Sequence, residues 1–270
     1  MEGIWQPTAL VEFVRTVDTS TLPAIVETDA GQAVLKHPAN PQGPTTLANE
    51  WIARRLAADF GMSVFDATIF SYAGDLDIPL KNGDAPPAPC YLTRFVPGSA
   101  WTGDPSELDE VDDAGDVTRL ILLDTWLRNR DRFFPGRLKS QSNLANVFLA
   151  ASGRSAGRRT LVAMDFSHAF TRTGEWTLGL RDPAAVEDAA IYGLFPDFIP
   201  LWNASMLEEA RAFWRTLSRA RVEGIVAEVP REWIPDPETP AALVDYLLAR
   251  AAHLAATEPG DWRRRMEERR

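Results

Sequence analysis

The sequence has 270 residues, 45% of them apolar and 9 of them tryptophan, which is enough to bury a sizeable core in one large domain or in two lobes. Its formal net charge of -10 argues against nucleic-acid binding as the main function, because a phosphate backbone is met by a net basic surface. The single cysteine, Cys90, excludes an internal disulfide and a cysteine zinc site, and the 3 histidines lack the spacing of a histidine zinc site.

The sequence carries no signal for export or for a membrane span. The N-terminus lacks a basic start followed by an apolar stretch, and there is no run of about 18 apolar residues. A chain with a single cysteine also suits a reducing compartment. We therefore expect a soluble, cytoplasmic protein that acts without direct contact with a membrane or a nucleic acid.

The first third of the chain predicts an antiparallel sheet. Short β-like runs alternate with segments rich in Gly, Pro and Asp, which is the composition of turns. The predicted strands are residues 24–29, 32–36, 63–73 and 91–96. The first two surround Ala30 and Gly31 and indicate a hairpin that ends at Lys36.

One helix is predicted among these strands. Residues 45–60 carry apolar side chains at helical spacing, Thr45 or Thr46 is a suitable cap, and Gly61 stops the helix. Glu50 then lies in the second turn of a helix that directly follows the strand of Lys36.

The second part of the chain predicts a mainly helical lobe. Proline and glycine after Phe95 and Val96 mark a boundary, so we expect an N-lobe at residues 1–97 and a C-lobe at residues 98–270. The acidic run at residues 104–116 is typical of a solvated linker and helix start. The predicted helices are residues 116–130, 184–192, 205–226 and 240–257, and a second hairpin is predicted from residues 146–150 and 160–164.

Polar residues at the ends of these apolar elements suggest phosphoryl transfer. Such a site needs a cation for the nucleotide phosphates, an anion that holds the cation, oxygen ligands for Mg²⁺, and a carboxylate near the attacking hydroxyl. The chain offers these groups in the order Lys36, Glu50, Asp131, Asn146 and Asp165. Each of them alone is compatible with a structural role, and Asp131 also fits a surface ion-pair cluster. A Walker A loop is absent, which argues against a P-loop enzyme.

Five short motifs resemble the HipA-like kinases, bacterial serine/threonine kinases distantly related to protein kinases and phosphatidylinositol kinases. They extend from the strand of Lys36 to the residues after Asp165. The matching motifs are Val34-Leu-Lys36, Leu47-Ala-Asn-Glu50-Trp, Trp126-Leu-Arg-Asn129-Arg130-Asp131-Arg132, Asn146-Val-Phe-Leu and Met164-Asp165-Phe-Ser.

The resemblance implies a two-lobed α+β kinase-like fold that holds ATP and Mg²⁺ between the lobes. Asp131 would be the catalytic aspartate, and Asn146 and Asp165 would be the metal ligands. The residues that would contact the nucleotide are Lys36, Glu50, Tyr91, Thr93 and Phe95. The acceptor would be a serine or threonine hydroxyl on a protein, and by analogy with the family the chain would be a toxin with an antitoxin partner.

Three departures from the family pattern qualify this interpretation. The family places its asparagine about five residues after the catalytic aspartate, whereas residues 133–142 are inserted here and Asn143 competes with Asn146. No Gly-rich loop precedes Lys36, although the hydroxyl residues at 18–21 lie where such a loop or a phosphorylation site would be. The chain is also too short for the N-terminal subdomain of longer members, so it resembles a minimal form. Two alternatives stay open, a kinase for a small molecule or lipid head group and an inactive nucleotide-binding scaffold.

Overall fold

The computed structural model describes residues 5–81, 83–134, 142–152, 157–171, 175–234 and 236–267. Its strands are β1 (Leu10–Thr16), β2 (Ala24–Thr28), β3 (Gly31–Lys36), β4 (Ala67–Tyr72), β5 (Pro79–Leu80), β6 (Gly83–Asp84), β7 (Ala88–Arg94), β8 (Gly98–Ala100), β9 (Val147–Ala151) and β10 (Arg159–Ala163). Its α-helices are α1 (Thr45–Asp59), α2 (Gly115–Leu127), α3 (Pro183–Val186), α4 (Ala204–Thr216), α5 (Arg219–Ala227), α6 (Thr239–Ala256) and α7 (Pro259–Glu267). Short 3-10 helices lie at Pro105–Glu110, Leu144–Asn146, Leu178–Arg181, Pro196–Leu201 and Arg231–Trp233.

The N-terminal lobe is built on an antiparallel sheet with the strand order β1-β2-β3-β7-β4. Its register places Lys36 opposite Tyr91 and Val34 opposite Thr93. Because side chains alternate between the two faces of a strand, Val34 and Lys36 point to one face, while Leu35 packs into a core cluster on the other. The face that carries Lys36 is the face that meets α1 and the second lobe.

The second lobe combines a small sheet, in the order β10-β9-β8, with the helices α2 to α7. A continuous core joins α1 to this lobe. Phe60, just after α1, packs its ring against Trp126 of α2 at 6.2 Å and Trp214 of α4 at 5.9 Å between ring centroids. The helix that carries Glu50 is therefore anchored in the helical lobe at its C-terminal end.

The structure confirms the first predicted helix and corrects its cap. It starts at Thr45 as predicted, and Gly61 follows its end with a φ of +87°, a conformation that glycine adopts without strain. Pro44 occupies the N-cap position, and neither predicted threonine caps the helix. The Thr46 hydroxyl instead donates a hydrogen bond to the carbonyl of Gly43, at 2.7 Å.

Two helical predictions in the C-terminal part are wrong. The helix predicted at residues 184–192 covers only α3, because the Asp188 carboxylate accepts a hydrogen bond from the Ala190 N–H and so competes with the helical backbone. The helix predicted at residues 205–226 is divided into α4 and α5. Ser218 breaks it, since its hydroxyl accepts a hydrogen bond from the Arg221 N–H and caps α5.

The other predicted elements are confirmed with shifted ends. The four predicted strands of the large sheet correspond to β2, β3, β4 and β7, and the second hairpin corresponds to β9 and β10. The predicted helix 116–130 is α2, which ends three residues earlier, at Leu127, and the predicted helix 240–257 is α6. The strands β1, β5, β6 and β8 and the helix α7 were not predicted.

The acidic run is less solvated than its composition predicts. Leu108 and Val111 are buried within it, and Asp116 pairs with Arg119 at 2.7 Å. The lobe boundary between residues 97 and 98 stays a prediction, although β8 begins at Gly98 and pairs with β9. Within the described ranges, every helix is too short or too polar to cross a membrane.

Candidate active site

Lys36, Glu50 and Asp165 meet where the sheet faces the second lobe. The Lys36 ammonium forms a salt bridge with the Glu50 carboxylate. On its other side, Lys36 Nζ lies 4.0 Å from Asp165 Oδ1. The side chains of Lys36 and Glu50 are 16% and 4% exposed, so this ion pair is largely shielded from water. The strand end, the helix and the segment after β10 therefore contribute one charged group each.

The electrostatics of this group favour a charged lysine. Burial alone would lower the pKa of Lys36, but the carboxylates of Glu50, Asp165 and Asp131 outweigh it and raise the pKa above its ordinary value. Burial likewise acts to raise the pKa of Asp165, yet the charge of Lys36 and the Ser167 hydroxyl hold that pKa below its usual range. At neutral pH the site thus contains an ammonium beside an ionised Asp165.

Asp131 forms the second polar group of the site. Its Oδ2 accepts hydrogen bonds from Asn146 Nδ2 at 2.8 Å and from Asn143 Nδ2 at 3.2 Å. The structure therefore brings both candidate asparagines to the same carboxylate. Asn146 is buried at the end of a 3-10 turn that leads directly into β9, while Asn143 is partly exposed.

The two ends of the insertion after Asp131 meet. Its residues 135–141 lie outside the described residues, but the Asn143 N–H donates a hydrogen bond of 3.1 Å to the carbonyl of Arg132. The chain therefore leaves the site at Arg132 and returns to it at Asn143. For this reason the extra residues do not separate Asn146 from Asp131.

A buried ion pair fixes the loop that presents Asp131. The helix α2 ends at Leu127, and Arg128 adopts a left-handed conformation with a φ of +51° that turns the chain. Asp124, on the last turn of α2, then accepts hydrogen bonds from Arg132 Nε at 2.7 Å and from Asn129 Nδ2 at 3.0 Å. Both side chains of the Asp124–Arg132 pair are 0% exposed. Asp131 thus lies between two residues that are tied to one helix.

Asp165 is held in a strained backbone conformation. Its φ is +56°, which is uncommon for a residue with a side chain and costs on the order of 1–3 kcal/mol. Arg132 donates a 2.9 Å hydrogen bond to the carbonyl of Met164, and the Ser167 hydroxyl donates one of 3.1 Å to Asp165 Oδ1. Contacts on both sides therefore maintain the orientation of Asp165 toward Lys36.

A cleft between the lobes is lined by Lys36, Glu50 and Asp165, whereas Asp131, Asn143 and Asn146 do not line it. Among the predicted contact residues, Tyr91 and Thr93 line it together with Lys36, Glu50 and Asp165. Phe95 does not line this cleft, and its side chain is 41% exposed. Its predicted contact with a nucleotide stays a prediction, as do the roles of the other residues.

Sequence reasoning missed several residues that line the cleft. Arg54 follows Glu50 by one helical turn, so the periodicity of α1 contained the signal for it. Its Nε donates a 2.5 Å hydrogen bond to the carbonyl of Phe65, which fixes the guanidinium at the wall of the cleft. Phe65, Met164 and Phe166 also line the cleft, and their positions depend on tertiary packing that no local pattern reveals.

The oxygen donors of the site suit a magnesium ion shared with a nucleotide. Asp165 supplies a carboxylate, and an amide that donates Nδ2 to Asp131 retains its oxygen as a metal ligand. In the part of the chain that the structure describes, no cluster of three or more His, Cys, Asp or Glu side chains is placed to bind a metal by itself. A carboxylate and an amide oxygen are the kinds of ligand that Mg²⁺ takes, since it usually keeps several waters and binds through one or two carboxylates and substrate phosphates.

Comparison with known proteins shows the fold. No family model matches the sequence, and no curated protein matches it. The structure resembles the proinflammatory kinase CtkA of Helicobacter pylori, with a TM-score of 0.52 and 12% identity over 95% of this chain and 96% of that chain. The chain therefore has a two-lobed α+β kinase-like fold.

Two further solved structures are more distant. HipA, in the HipA–HipB–operator DNA complex of the Shewanella oneidensis MR-1 toxin–antitoxin system, has a TM-score of 0.35 and 12% identity over 96% of this chain and 70% of that chain. The PknI kinase domain of Mycobacterium tuberculosis has a TM-score of 0.29 and 15% identity over 92% of this chain and 99% of that chain. The fold assignment rests on the likeness to CtkA.

Proposed function

We propose that this chain is an ATP- and Mg²⁺-dependent kinase that phosphorylates a serine or threonine hydroxyl on a protein and is related to the HipA-like kinases. One observation carries the proposal. In a shielded ion pair with Glu50, Lys36 lies with its Nζ 4.0 Å from Asp165 Oδ1, and it also feels the charge of Asp131, whose carboxylate accepts hydrogen bonds from two asparagine amides. These groups support the proposal, because phosphoryl transfer needs a cation for the phosphates, oxygen ligands for the metal and a carboxylate near the acceptor hydroxyl.

The ion pair would bind and neutralise the nucleotide phosphates. Lys36 is charged and is oriented by Glu50, so it presents a fixed positive charge at the wall of the cleft. A charge that is already in place needs no reorganisation as negative charge shifts from the γ-phosphate to the leaving oxygen. Val34 and Thr93 extend the same wall and would pack against the base.

Asp131 would receive or orient the proton of the acceptor. The hydroxyl oxygen forms a bond to the γ-phosphorus, the bond from that phosphorus to the bridging oxygen breaks, and ADP leaves. The hydroxyl proton passes to Asp131, whose carboxylate is held by Asn143 and Asn146. Asp165 and Asn146 would hold Mg²⁺, which screens the charge of the phosphates when it is bound.

The kind of acceptor is tested by following the phosphate. The purified protein is incubated with γ-labelled ATP, Mg²⁺ and a cell extract, and label is then measured separately in proteins, lipids and small molecules. The proposal predicts phosphoserine or phosphothreonine in protein. Label only in lipids or small molecules would replace it with a small-molecule or lipid kinase, and nucleotide binding without transfer would indicate an inactive scaffold.

A matched pair of variants assigns the label to this site. Asp131→Ala is expected to abolish the protein label, while Asp245→Ala should retain it, since Asp245 is a 44% exposed carboxylate on α6. Equal labelling by the two variants would contradict the role of Asp131. A role as a toxin with an antitoxin partner is a separate proposal from the sequence resemblance, and coexpression growth assays test it.

A further inference from the structure

Asn49 lies next to Glu50 and makes contacts that the proposed reaction does not explain. Its side chain is 0% exposed, although it stands on the helix that carries the Lys36 partner. Asn49 Nδ2 donates a 2.8 Å hydrogen bond to the carbonyl of Ser167, two residues after Asp165. Asn49 Oδ1 accepts a 2.6 Å hydrogen bond from the indole Nε1 of Trp176. A single buried amide thus joins three segments of the chain.

The hydrogen bond from Asn49 to Ser167 helps to maintain the backbone conformation of Asp165. A residue with a φ of +56° keeps that conformation only when its surroundings hold the chain on both sides. Arg132 holds the preceding residue through the carbonyl of Met164 at 2.9 Å. Asn49 holds the following side through the carbonyl of Ser167, and Ser167 in turn donates its hydroxyl to Asp165 Oδ1 at 3.1 Å. Release of either side would let Asp165 relax away from Lys36.

Trp176 fixes the amide in the required orientation. Its ring is 4% exposed, and its Nε1 contacts the amide oxygen, so the amide nitrogen is left pointing at Ser167. The indole donor therefore favours the orientation in which the amide oxygen faces Trp176 and the amide nitrogen faces Ser167. Correct placement of Asp165 therefore depends on the contact between Trp176 and α1.

We propose that Asn49 and Trp176 are positioning residues that couple the helix of Glu50 to the metal-binding orientation of Asp165. Asn49 does not touch the reacting atoms in this proposal, which rests on the proposed function through the assignment of Asp165 as a metal ligand. Its consequence is specific, because loss of the contact should weaken the binding of Mg²⁺ more than the binding of the nucleotide itself.

The first test removes one hydrogen-bond donor. Trp176→Phe keeps an aromatic ring but loses the indole N–H, and the Mg²⁺ dissociation constant is measured by calorimetry in the presence of saturating ADP. One net hydrogen bond predicts a weakening of about 2- to 10-fold. The affinity for ADP without Mg²⁺ should change by less than about 2-fold, since Lys36 and Glu50 remain in place.

Trp101→Phe is the matched control. Trp101 is 1% exposed, and its Nε1 donates a 2.7 Å hydrogen bond to the carbonyl of Asp104, away from the residues that line the cleft. Trp101→Phe should lose about as much thermal stability as Trp176→Phe and leave the Mg²⁺ dissociation constant unchanged. The inference is overturned if both variants shift the Mg²⁺ constant equally, or if Trp176→Phe weakens ADP binding to the same extent without Mg²⁺.

Asn49→Asp tests the hydrogen bond to Ser167 separately from the hydrogen bond with Trp176. The carboxylate can still accept from Trp176, but it replaces the donor that faces Ser167 with a negative oxygen, so a larger loss of Mg²⁺ affinity is expected. If this variant does not fold, Trp176→Phe still decides the matter. Because ADP binding requires no phosphate transfer, a wild type that binds Mg²⁺ with ADP but transfers nothing refutes the proposed function and leaves this inference standing. A wild type whose ADP binding is independent of Mg²⁺ refutes the inference.

Discussion

The ion pair between Asp124 and Arg132 should be one of the most sensitive points of the fold. Asp124→Ala leaves the Arg132 guanidinium in a site where both side chains are 0% exposed and the original Nε–Oδ2 distance is 2.7 Å. It also removes the acceptor of the Asn129 amide. Removal of one partner of a buried pair costs about 3–5 kcal/mol, because the remaining charge keeps its full desolvation penalty.

A second ion pair in the same chain provides the comparison. Asp59 accepts two hydrogen bonds from Arg221, both 2.6 Å long, but these side chains are 24% and 45% exposed. Exposed pairs contribute about 1 kcal/mol or less, because water solvates the remaining charge. Asp59→Ala should therefore cost at least about 2 kcal/mol less than Asp124→Ala.

Urea unfolding followed by circular dichroism measures both free energies under one set of conditions. We expect a clear separation of the two variants in the free energy of unfolding, with Asp59→Ala near the wild type. Losses within about 1 kcal/mol of each other would refute it, since burial would then not determine the strength of the pair.

Three further predictions concern Gly193, Asp188 and Asn146. Gly193→Ala should destabilise the protein by at least about 1 kcal/mol more than Gly61→Ala in thermal unfolding. Both glycines have positive φ, but only at Gly193 would an added Cβ clash with the Asp124 carboxylate. The pKa of Asp188 is lowered, because the Tyr192 hydroxyl, the Ala190 N–H and nearby arginines outweigh its burial. Ionised Asp188 therefore stabilises the fold at pH values above its ordinary pKa, and this stabilisation is lost as pH falls through the lower pKa of the folded state. Acid titration of the unfolding free energy should show a loss below about pH 4 that is shallower in Asp188→Asn, and equal slopes would contradict the assignment. Asn146→Ala should weaken Mg²⁺ binding in the presence of ADP about 10-fold more than Asn143→Ala, and the reverse order would transfer the ligand role to Asn143.

The sequence predicted the parts of the site that stand at the ends of regular elements. Lys36 ends a strand with clear alternation, and Glu50 lies on a helix whose period is unambiguous. Their contact is not visible in either pattern and was expected from the charges that phosphoryl transfer requires and from the resemblance to a known family. The structure brings the two residues together through the pairing of the sheet with α1.

The length of the insertion after Asp131 did not predict where Asn146 lies relative to Asp131. Its length alone suggested that Asn146 could be displaced, because spacing along the chain does not reveal that the ends of a loop meet. The bond between Asn143 and Arg132 is a tertiary contact of the backbone, and it makes the length of the insertion irrelevant to the distance between Asp131 and Asn146. The order of Asp131 and Asn146 in the sequence predicted that they belong together, while the number of residues between them suggested wrongly that they are apart.

Other errors arose where one pattern fitted two structures. Helical periodicity continues through Ser218, so nothing distinguishes one long helix from α4 followed by α5 until the cap is seen. The edge strand β1 was missed because its register shifts twice and Val11 is 63% exposed, which removes the alternation that marks a half-buried strand. Contacts such as Asn49 with Ser167 connect residues too distant for any local rule.

The most direct test of the proposed function is phosphate transfer by Asp131→Asn compared with the wild type. The two proteins are incubated with γ-labelled ATP, Mg²⁺ and the protein acceptor that was identified in the extract, and the label transferred to that acceptor is measured. Nucleotide binding is measured in parallel. Loss of a positioned carboxylate should slow transfer by about 100-fold or more and leave nucleotide affinity within a few-fold of the wild type. Transfer at the wild-type rate by Asp131→Asn would contradict the assignment of Asp131 as the catalytic aspartate of a kinase active site.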